Sequence, residues 1–407
     1  MKLNYKTIIG GVFLAALAIR VTVMAVMWPN LDPEVDIDWY RSLGRSLAAG
    51  QGFAATSPEG RTLPNVSRMP LYPVVLAGLQ MVGGDRLGLY LATQCLMGAA
   101  TCALTVVLAR RWLPWSGAAL AGGLMAVDPV SVKLCSVLLT ETLLALLLVA
   151  AACVWACHRD SRWGWAGMAA FMGLAALTRS ICVWLWVPVL AVGWLTRTDL
   201  RRLGIFLVVF FAAVSFWMAR NATVTGRWFI TTTGREAILL SWVPLIEAQR
   251  TGSSPHDIGA QFVTEYGWLD FFDNPTDFAE RWRRYGEVGA QYLRRDPLWV
   301  VKQTVFGSVK LLIAPGKQVF DPVTLVLPPP ARWWPHAYSL GLAVLVVAAA
   351  RATWHRRREV SLLAAVVFYV VLLAGGPTAS SRFRAPVFPL LVTLGVIGFT
   401  SRSQHAD

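Results

Sequence analysis

Four carboxylates, Asp32, Glu34, Asp36 and Asp38, stand within seven residues, directly after an apolar run over residues 8–28. A carboxylate at the mouth of an apolar segment can take a proton from an attacking hydroxyl. Arg68, Arg179, Arg220, Arg382 and Arg384 stand at the ends of other apolar runs or between them, with Asn221 beside Arg220 and Asp128 before Pro129. Guanidinium groups match phosphate oxygens through paired hydrogen bonds and keep their charge at any working pH. Carboxylates at a rim with arginines below suit an anion carried on a lipid, with a reacting hydroxyl beside it. The chemistry this allows is group transfer from a lipid phosphate. Such a leaving group has less need of a protonating acid than the leaving oxygen in glycoside hydrolysis, so one carboxylate base and basic residues would suffice.

The elements that must position these residues are membrane helices. Of 407 residues, 56% are hydrophobic, and the mean hydropathy is +0.53, an excess that a soluble protein of this length does not need. Residues 8–28 read as an uncleaved first span, because the run is long, carries Arg20 and lacks a small-x-small cleavage site. The net charge of +14 would suggest nucleic acid in a soluble protein, but the arginines form short clusters between apolar runs. Further spans are expected at 88–109, 115–128, 134–157, 163–178, 181–195, 203–219, 336–350, 359–375 and 385–400, about ten in all. Lys2 and Lys6 place the amino terminus inside, and alternation then puts Arg110 and Arg111, Arg159 and Arg162, Arg197 to Arg202, and Arg351 to Arg358 inside as well. Residues 298–314 are apolar, yet counting them as a span would put the Arg356 cluster outside. With Lys302 and Lys310 eight apart, they read as an interfacial or re-entrant helix. The same threading places the carboxylate cluster and all five arginines on the outer side.

Other readings attach to individual residues. The acidic cluster can serve as a solvated loop that caps a helix at 38–49. Each external arginine can anchor at an interface by snorkelling. Glu141, within an apolar segment, can make a structural hydrogen bond or a substrate contact, and Asp128 can simply end a helix before Pro129. All six cysteines lie in apolar segments and form no disulfide or zinc pattern. His256, His336 and His355 are scattered, and no internal repeat is visible.

Several motifs resemble the bacterial membrane glycosyltransferases of the GT-C fold, especially the branch of protein mannosyltransferases and lipid A aminoarabinose transferases. Asp36 stands four residues before Tyr40, followed by Leu47, Gly50, Gly52 and Phe53, similar to that family's first external loop. Arg68, Pro70, Tyr72 and Pro73 resemble its Arg-x-Pro-x-Tyr-Pro segment. DPVSVKLCSVLLTET with Asp128 and Glu141, ALTRS with Arg179, WMARNATVTGRW with Arg220 and Asn221, and SSRFRAPVFP with Arg382 and Arg384 follow in the family's order. The resemblance implies that Asp36 is the general base, with Asp38 as its nearest rival. Members with an Asp-Glu pair have Glu directly after the aspartate, where this chain has Ile37, and the substrate is left open.

The expectation is therefore an all-α polytopic membrane protein of GT-C fold. Residues 1–221 form an N-terminal membrane domain with an external catalytic loop at 29–87, residues 222–335 an external region, and residues 336–407 the closing spans. The resemblance implies sugar transfer, with inversion, from a polyprenyl-phosphate donor to a lipid, glycan or protein acceptor at the outer face of the cytoplasmic membrane. Arg68, Arg179, Arg220, Arg382 and Arg384 would bind the donor phosphate in some subset, with Tyr40, Tyr72, Asp128, Glu141 and Asn221 lining the pocket. No cofactor is demanded, although the external carboxylates can hold a divalent cation. The alternative is a transporter or flippase of polyprenyl-linked sugars, which needs the arginines but no base and should show internal symmetry. A third reading, a polysaccharide polymerase or ligase, uses a diphosphate-linked donor.

Overall fold

A computed structural model describes residues 5–27, 35–57, 60–316 and 334–400. Lys2, Asp32, Glu34 and most of the Pro-rich segment at 328–335 lie outside the described residues. Helix α1 (Tyr5–Met27) rises to what we call the upper face. There follow α2 (Val35–Ala48), a hairpin of β1 (Ala54–Thr56) and β2 (Thr62–Pro64) paired antiparallel with Ala54 opposite Pro64, and α3 (Leu71–Gly83). Gly50 and Gly52, with φ of 73° and 78°, supply the left-handed backbone that turns the chain from α2 into the hairpin.

The bundle continues with α4 (Leu87–Ala109), α5 (Trp115–Ala126), α6 (Pro129–Leu134), α7 (Glu141–His158), α8 (Arg162–Thr178), a 3-10 turn at Ser180–Trp184 leading into α9 (Trp186–Leu195), and α10 (Leu200–Thr225). An upper-face insertion, α11 to α15, follows and is described below, and three further helices close the bundle. Among the described residues, six helices are long and apolar enough to cross a membrane: Tyr5–Met27, Leu87–Ala109, Glu141–His158, Leu200–Thr225, Pro335–His355 and Ser381–Thr400. The expected spans at 115–128, 163–178, 181–195 and 359–375 are helices too, but shorter or charged at one end. They belong to the same packed core as the long ones. A short helix inside a bundle keeps its backbone satisfied and meets protein rather than lipid at its ends.

One expected span starts later than its apolar run implies. Residues 134–157 do not form one helix. Asp128 caps α6 by accepting from the Ser131 backbone N–H at 2.8 Å, and Pro129 fills the first helical position. The chain then breaks over 135–140 and restarts at Glu141. Glu141 therefore stands in the first turn of α7, where the positive end of the helix dipole favours an anion, rather than in mid-helix.

Arg20, inside α1, is fully buried. Its Nη1 donates to the carbonyls of Ala16 at 3.1 Å and Ala126 at 3.2 Å, and its Nη2 donates to Met125 at 3.4 Å. It thus satisfies carbonyls at the C-terminal end of α5, which makes a charge at membrane depth tolerable.

The upper-face insertion comprises α11 (Thr233–Ala237), a π turn at Ile238–Trp242, α12 (Val243–Thr251), α13 (Pro255–Tyr266), α14 (Pro275–Arg295) and α15 (Pro297–Ile313). It has its own small core, in which Phe229, Leu239, Phe278 and Tyr285 pack with Val66 of the loop after β2. Helix α14 begins where the Asn274 side chain accepts from the Asp277 N–H at 2.7 Å and ends on Arg294 and Arg295.

The closing helices are α16 (Trp334–His355), α17 (Arg357–Ala374) and α18 (Phe388–Thr400), the last preceded by a 3-10 turn at Ser381–Val387. Helix α18 is almost wholly buried and meets α16 at Gly398, where an added Cβ would stand 1.9 Å from the Ala348 carbonyl oxygen. The described contacts of α15 lie at the upper end of the bundle. Gly307 abuts the carbonyls of Gly375 and Gly376, and Leu311, Leu312 and Ala314 face Arg384. Leu298, Val301, Val305 and Val309 form an exposed apolar stripe along its length.

Candidate functional site

The centre of the upper face is Glu141, 1% exposed, whose Oε1 accepts from Arg179 Nη1 at 2.7 Å and lies 3.7 Å from Arg382 Nε. The elements explain the meeting. Arg179 follows α8 in extended conformation, φ −151° and ψ 130°, between two helical segments. Arg382 sits in the 3-10 turn that opens α18. Phe383 stands between the two arginines, 4.6 Å from the Arg179 guanidinium and 5.0 Å from that of Arg382. Thr140 completes the group, with Arg179 Nη1 donating to its hydroxyl at 3.3 Å. One carboxylate thus organises two guanidiniums whose outer edges stay partly exposed, at 25% and 33%. Partial neutralisation fixes their geometry, and the local charge remains positive.

Two tyrosines extend the group toward α2. Tyr40 and Tyr72 meet edge to face, with centroids 5.2 Å apart and planes at 89°. The Tyr72 hydroxyl is buried with no hydrogen-bond partner among the described residues, and Tyr40 lies within electrostatic range of Arg179. On the other side of Tyr40, the Arg68 guanidinium stands 5.7 Å from its ring and 5.9 Å from that of Trp39. Asp36 and Asp38 belong to the first turn of α2, and Asp36 precedes Tyr40 by one helical turn. The helix therefore begins three residues before the 38–49 boundary expected from sequence.

Helix α2 is fastened to the bundle by charge. Asp85, in the turn between α3 and α4, accepts from Arg41 Nε at 2.8 Å, from Arg45 Nε at 2.5 Å and from the Tyr90 hydroxyl at 2.8 Å. Partial burial alone would raise its pKa. The donors outweigh that and hold it down at about 2.

The remaining sequence candidates lie in two other networks. Arg220 Nη1 donates to the Asn65 carbonyl at 2.6 Å and to Asn221 Oδ1 at 3.0 Å, and its Nη2 donates to the Phe53 carbonyl at 2.8 Å. Asn221 is fully buried and donates to the carbonyls of Phe229 and Ile230. This pair locks the hairpin and the insertion onto α10. Asn65 Oδ1 in turn accepts from the backbone N–H groups of Ser67 and Arg68, so Arg220 supports the loop that presents Arg68. Arg384 is fully buried. Its Nη1 donates to the carbonyls of Leu311 at 2.8 Å, Ala314 at 3.1 Å and Leu312 at 3.2 Å, and its Nη2 to the Tyr338 hydroxyl at 3.0 Å. Tyr338 bonds Asp128. Arg384 and Asp128 therefore join α15, α16 and α6 to one another.

Two acidic residues that sequence reasoning did not single out sit behind Arg68. Asp270, 8% exposed, hydrogen-bonds Ser67, and Glu236 lies beside it, near Thr232. The Glu236 stem is partly accessible, but Glu236 Oε1 and Asp270 Oδ1 are buried without a hydrogen-bond partner among the described residues. Burial, and then the neighbouring Asp270 charge, push Glu236 up to about 8. Burial also raises Asp270. Thirty-odd residues separate the two in sequence, and neither stands in a recognisable motif.

Among the described residues, no group of three His, Cys, Asp or Glu side chains converges as a metal site. No family model and no curated protein sequence matches the chain. The fold has solved counterparts. The oligosaccharyltransferase AglB from Archaeoglobus fulgidus, solved with an inhibitory peptide and a dolichol-phosphate, superposes with a TM-score of 0.56 at 12% identity over 97% of this chain and 50% of that one. The same enzyme tethered to an acceptor peptide gives 0.55 at 12% identity, over 98% and 50%, and it has also been solved with zinc and sulfate. ArnT from Cupriavidus metallidurans, bound to undecaprenyl phosphate, aligns at 18% identity over 95% of this chain and 77% of that one, with a TM-score of 0.45. The chain spans about half the length of AglB. The shared architecture is the GT-C fold of multi-pass membrane glycosyltransferases.

Proposed function

We propose, taking the GT-C fold as the premise, that this chain transfers a sugar from a polyprenyl-phosphate donor to an acceptor hydroxyl at the outer face of the cytoplasmic membrane. The observation that carries the reading is the pair of partly exposed guanidiniums, Arg179 and Arg382, held on one buried carboxylate beside α2. Such a pair can grip a phosphate monoester from two sides as its charge grows. The structural neighbours support the donor class, because AglB has been solved with a dolichol-phosphate.

In this reading Asp36 takes the proton of the acceptor hydroxyl, and the oxygen attacks the anomeric carbon. The bond from that carbon to the phosphate oxygen breaks from the opposite side, with inversion. Its electron pair stays with the polyprenyl phosphate, which leaves as a dianion against Arg179 and Arg382. Arg68, stacked on Tyr40, approaches the same anion from the α2 side, and the Tyr72 hydroxyl offers one further donor. Arg220 and Asn221 act through the loop they hold, and Arg384 and Asp128 through the helices they join. Asp38 is the alternative base. A divalent cation held by the outer carboxylates would assist the departing phosphate.

The test is sugar transfer from radiolabelled polyprenyl-phosphate sugars, in membranes holding matched amounts of wild type, Asp36→Asn and Asp38→Asn. Loss of transfer in Asp36→Asn alone, with donor binding retained, is the expected result. Normal transfer by both variants would overturn the base assignment. Movement of labelled lipid between leaflets, without transfer, would favour a transporter.

A further inference from the structure

The face of the bundle opposite Glu141 carries a cavity. It has a volume of about 800 Å³ and lies between the α7–α8 turn, the α9–α10 turn and the start of α17. Four arginines line it, Arg159, Arg197, Arg202 and Arg358, against two acidic residues, Asp160 and Asp199. Neither carboxylate neutralises the arginines closely. Asp199 caps α10, its Oδ1 accepting from the Arg201 N–H at 3.0 Å, and Asp160, 91% exposed, is 3.8 Å from Arg202 Nη1. Helices α8, α10 and α17 begin around this cavity while α7 and α9 end there, so the helix dipoles largely offset and the arginines set its positive charge. Leu195, 70% exposed, gives the cavity an apolar wall, backed by the buried Val189, Val192 and Leu362.

Arg197 is set there against a backbone preference. Among the described residues it is the single non-glycine with positive φ, at 55°. It occupies the position after the α9 cap, where its N–H bonds the Trp194 carbonyl while the Thr198 N–H bonds that of Gly193. Glycine suits this helix ending best, and a bulky side chain there costs about 1 kcal/mol or more. A rule asking only for positive charge on this face would be met by an arginine at any neighbouring position. The strained one points to a role for the guanidinium itself.

We propose that this cavity binds one phosphate-bearing headgroup of an anionic lipid, in the leaflet opposite the Glu141 site. The four arginines meet the phosphate diester, and the apolar wall meets the first carbons of an acyl chain. The choice of a lipid over a soluble phosphate rests on that wall.

Native mass spectrometry tests this on the full chain released from micelles that contain equal phosphatidylglycerol and phosphatidylcholine. Wild type should retain one phosphatidylglycerol selectively, and millimolar inorganic pyrophosphate should not displace it. The double variant Arg197→Gly/Arg202→Gln should lose that retention by roughly tenfold or more, while its melting temperature holds or rises because glycine relieves the left-handed residue. Arg111→Gln/Arg201→Gln removes two exposed arginines of the same face that do not line the cavity, and it should retain the lipid as wild type does. Equal retention by the cavity variant would overturn the proposal, as would equal loss in the control pair. Binding of pyrophosphate with no lipid retained would overturn the lipid source.

Discussion

Glu141→Gln separates a phosphate site from an ordinary buried ion pair. The change keeps side-chain size and removes the one carboxylate shared by Arg179 at 2.7 Å and Arg382 at 3.7 Å. The local formal charge rises from one positive to two. Taking a lipid phosphate seated against the outer edges of both guanidiniums at about 6 Å from residue 141, each unit of lost repulsion is worth about 3 kcal/mol at an effective dielectric of about 20. Both arginines are partly exposed, so screening reduces this to about 1–2 kcal/mol. The variant should then bind polyprenyl phosphate roughly 5- to 30-fold more tightly. Turnover should fall, because product held too tightly leaves slowly and substrate gains no advantage at the transition state. The assay pairs lipid-phosphate affinity in neutral detergent with single- and multiple-turnover transfer. A purely structural ion pair gives the opposite pattern: lower melting temperature, and affinity unchanged or weaker. That pattern would refute the phosphate assignment.

Three further outcomes are expected. The raised Glu236 binds a proton in the folded state that the unfolded chain releases near its ordinary pKa, so stability should fall as pH rises from about 4.5 toward 8 and then level off. Glu236→Gln should remove that slope, on the order of a few kcal/mol, in thermal melts across pH 5–9. Asp85, held at about 2, contributes stability that is complete above its unfolded pKa and lost as pH falls toward 2. Asp85→Asn should therefore cost about 1–2 kcal/mol at neutral pH, after allowance for its partial exposure, and loosen α2, as hydrogen exchange would read directly. Arg384→Met should leave the carbonyls of Leu311, Leu312 and Ala314 without their donor. The expected loss is about 2–4 kcal/mol, with faster proteolysis within 297–316 and unchanged affinity for lipid phosphate in the fraction that stays folded.

The helical architecture was readable because hydropathy obeys simple rules. The helices match the expected spans to within a few residues nearly everywhere. The exception is informative. Over 134–157, the run is apolar enough for one helix, and hydropathy cannot see the cap that Asp128 makes on Ser131 or the restart at Glu141. The motifs did bring Arg179, Arg382, Glu141, Tyr40 and Tyr72 to one place. They could not tell which arginines would face carbonyls, because Arg220 and Arg384 differ from Arg179 only in tertiary partners. Glu236 and Asp270 were invisible for the same reason: single acidic residues in a polar insertion carry no periodicity, and their meeting behind Arg68 is decided by how that insertion folds back on the loop after β2.

The network of Arg384 also bears on how the chain is made. Its partners enter the membrane long before it does: Asp128 first, then the end of α15, then Tyr338. Until residue 384 leaves the ribosome, three carbonyls and a phenol wait at one spot without the guanidinium that joins them. The early helices are thus inserted but cannot be finally seated. Assembly of the upper face ends with the 3-10 turn and α18, the last described span, sliding into the centre of the bundle, and a stalled or truncated chain ending before Ser381 would present an open seam to membrane quality control.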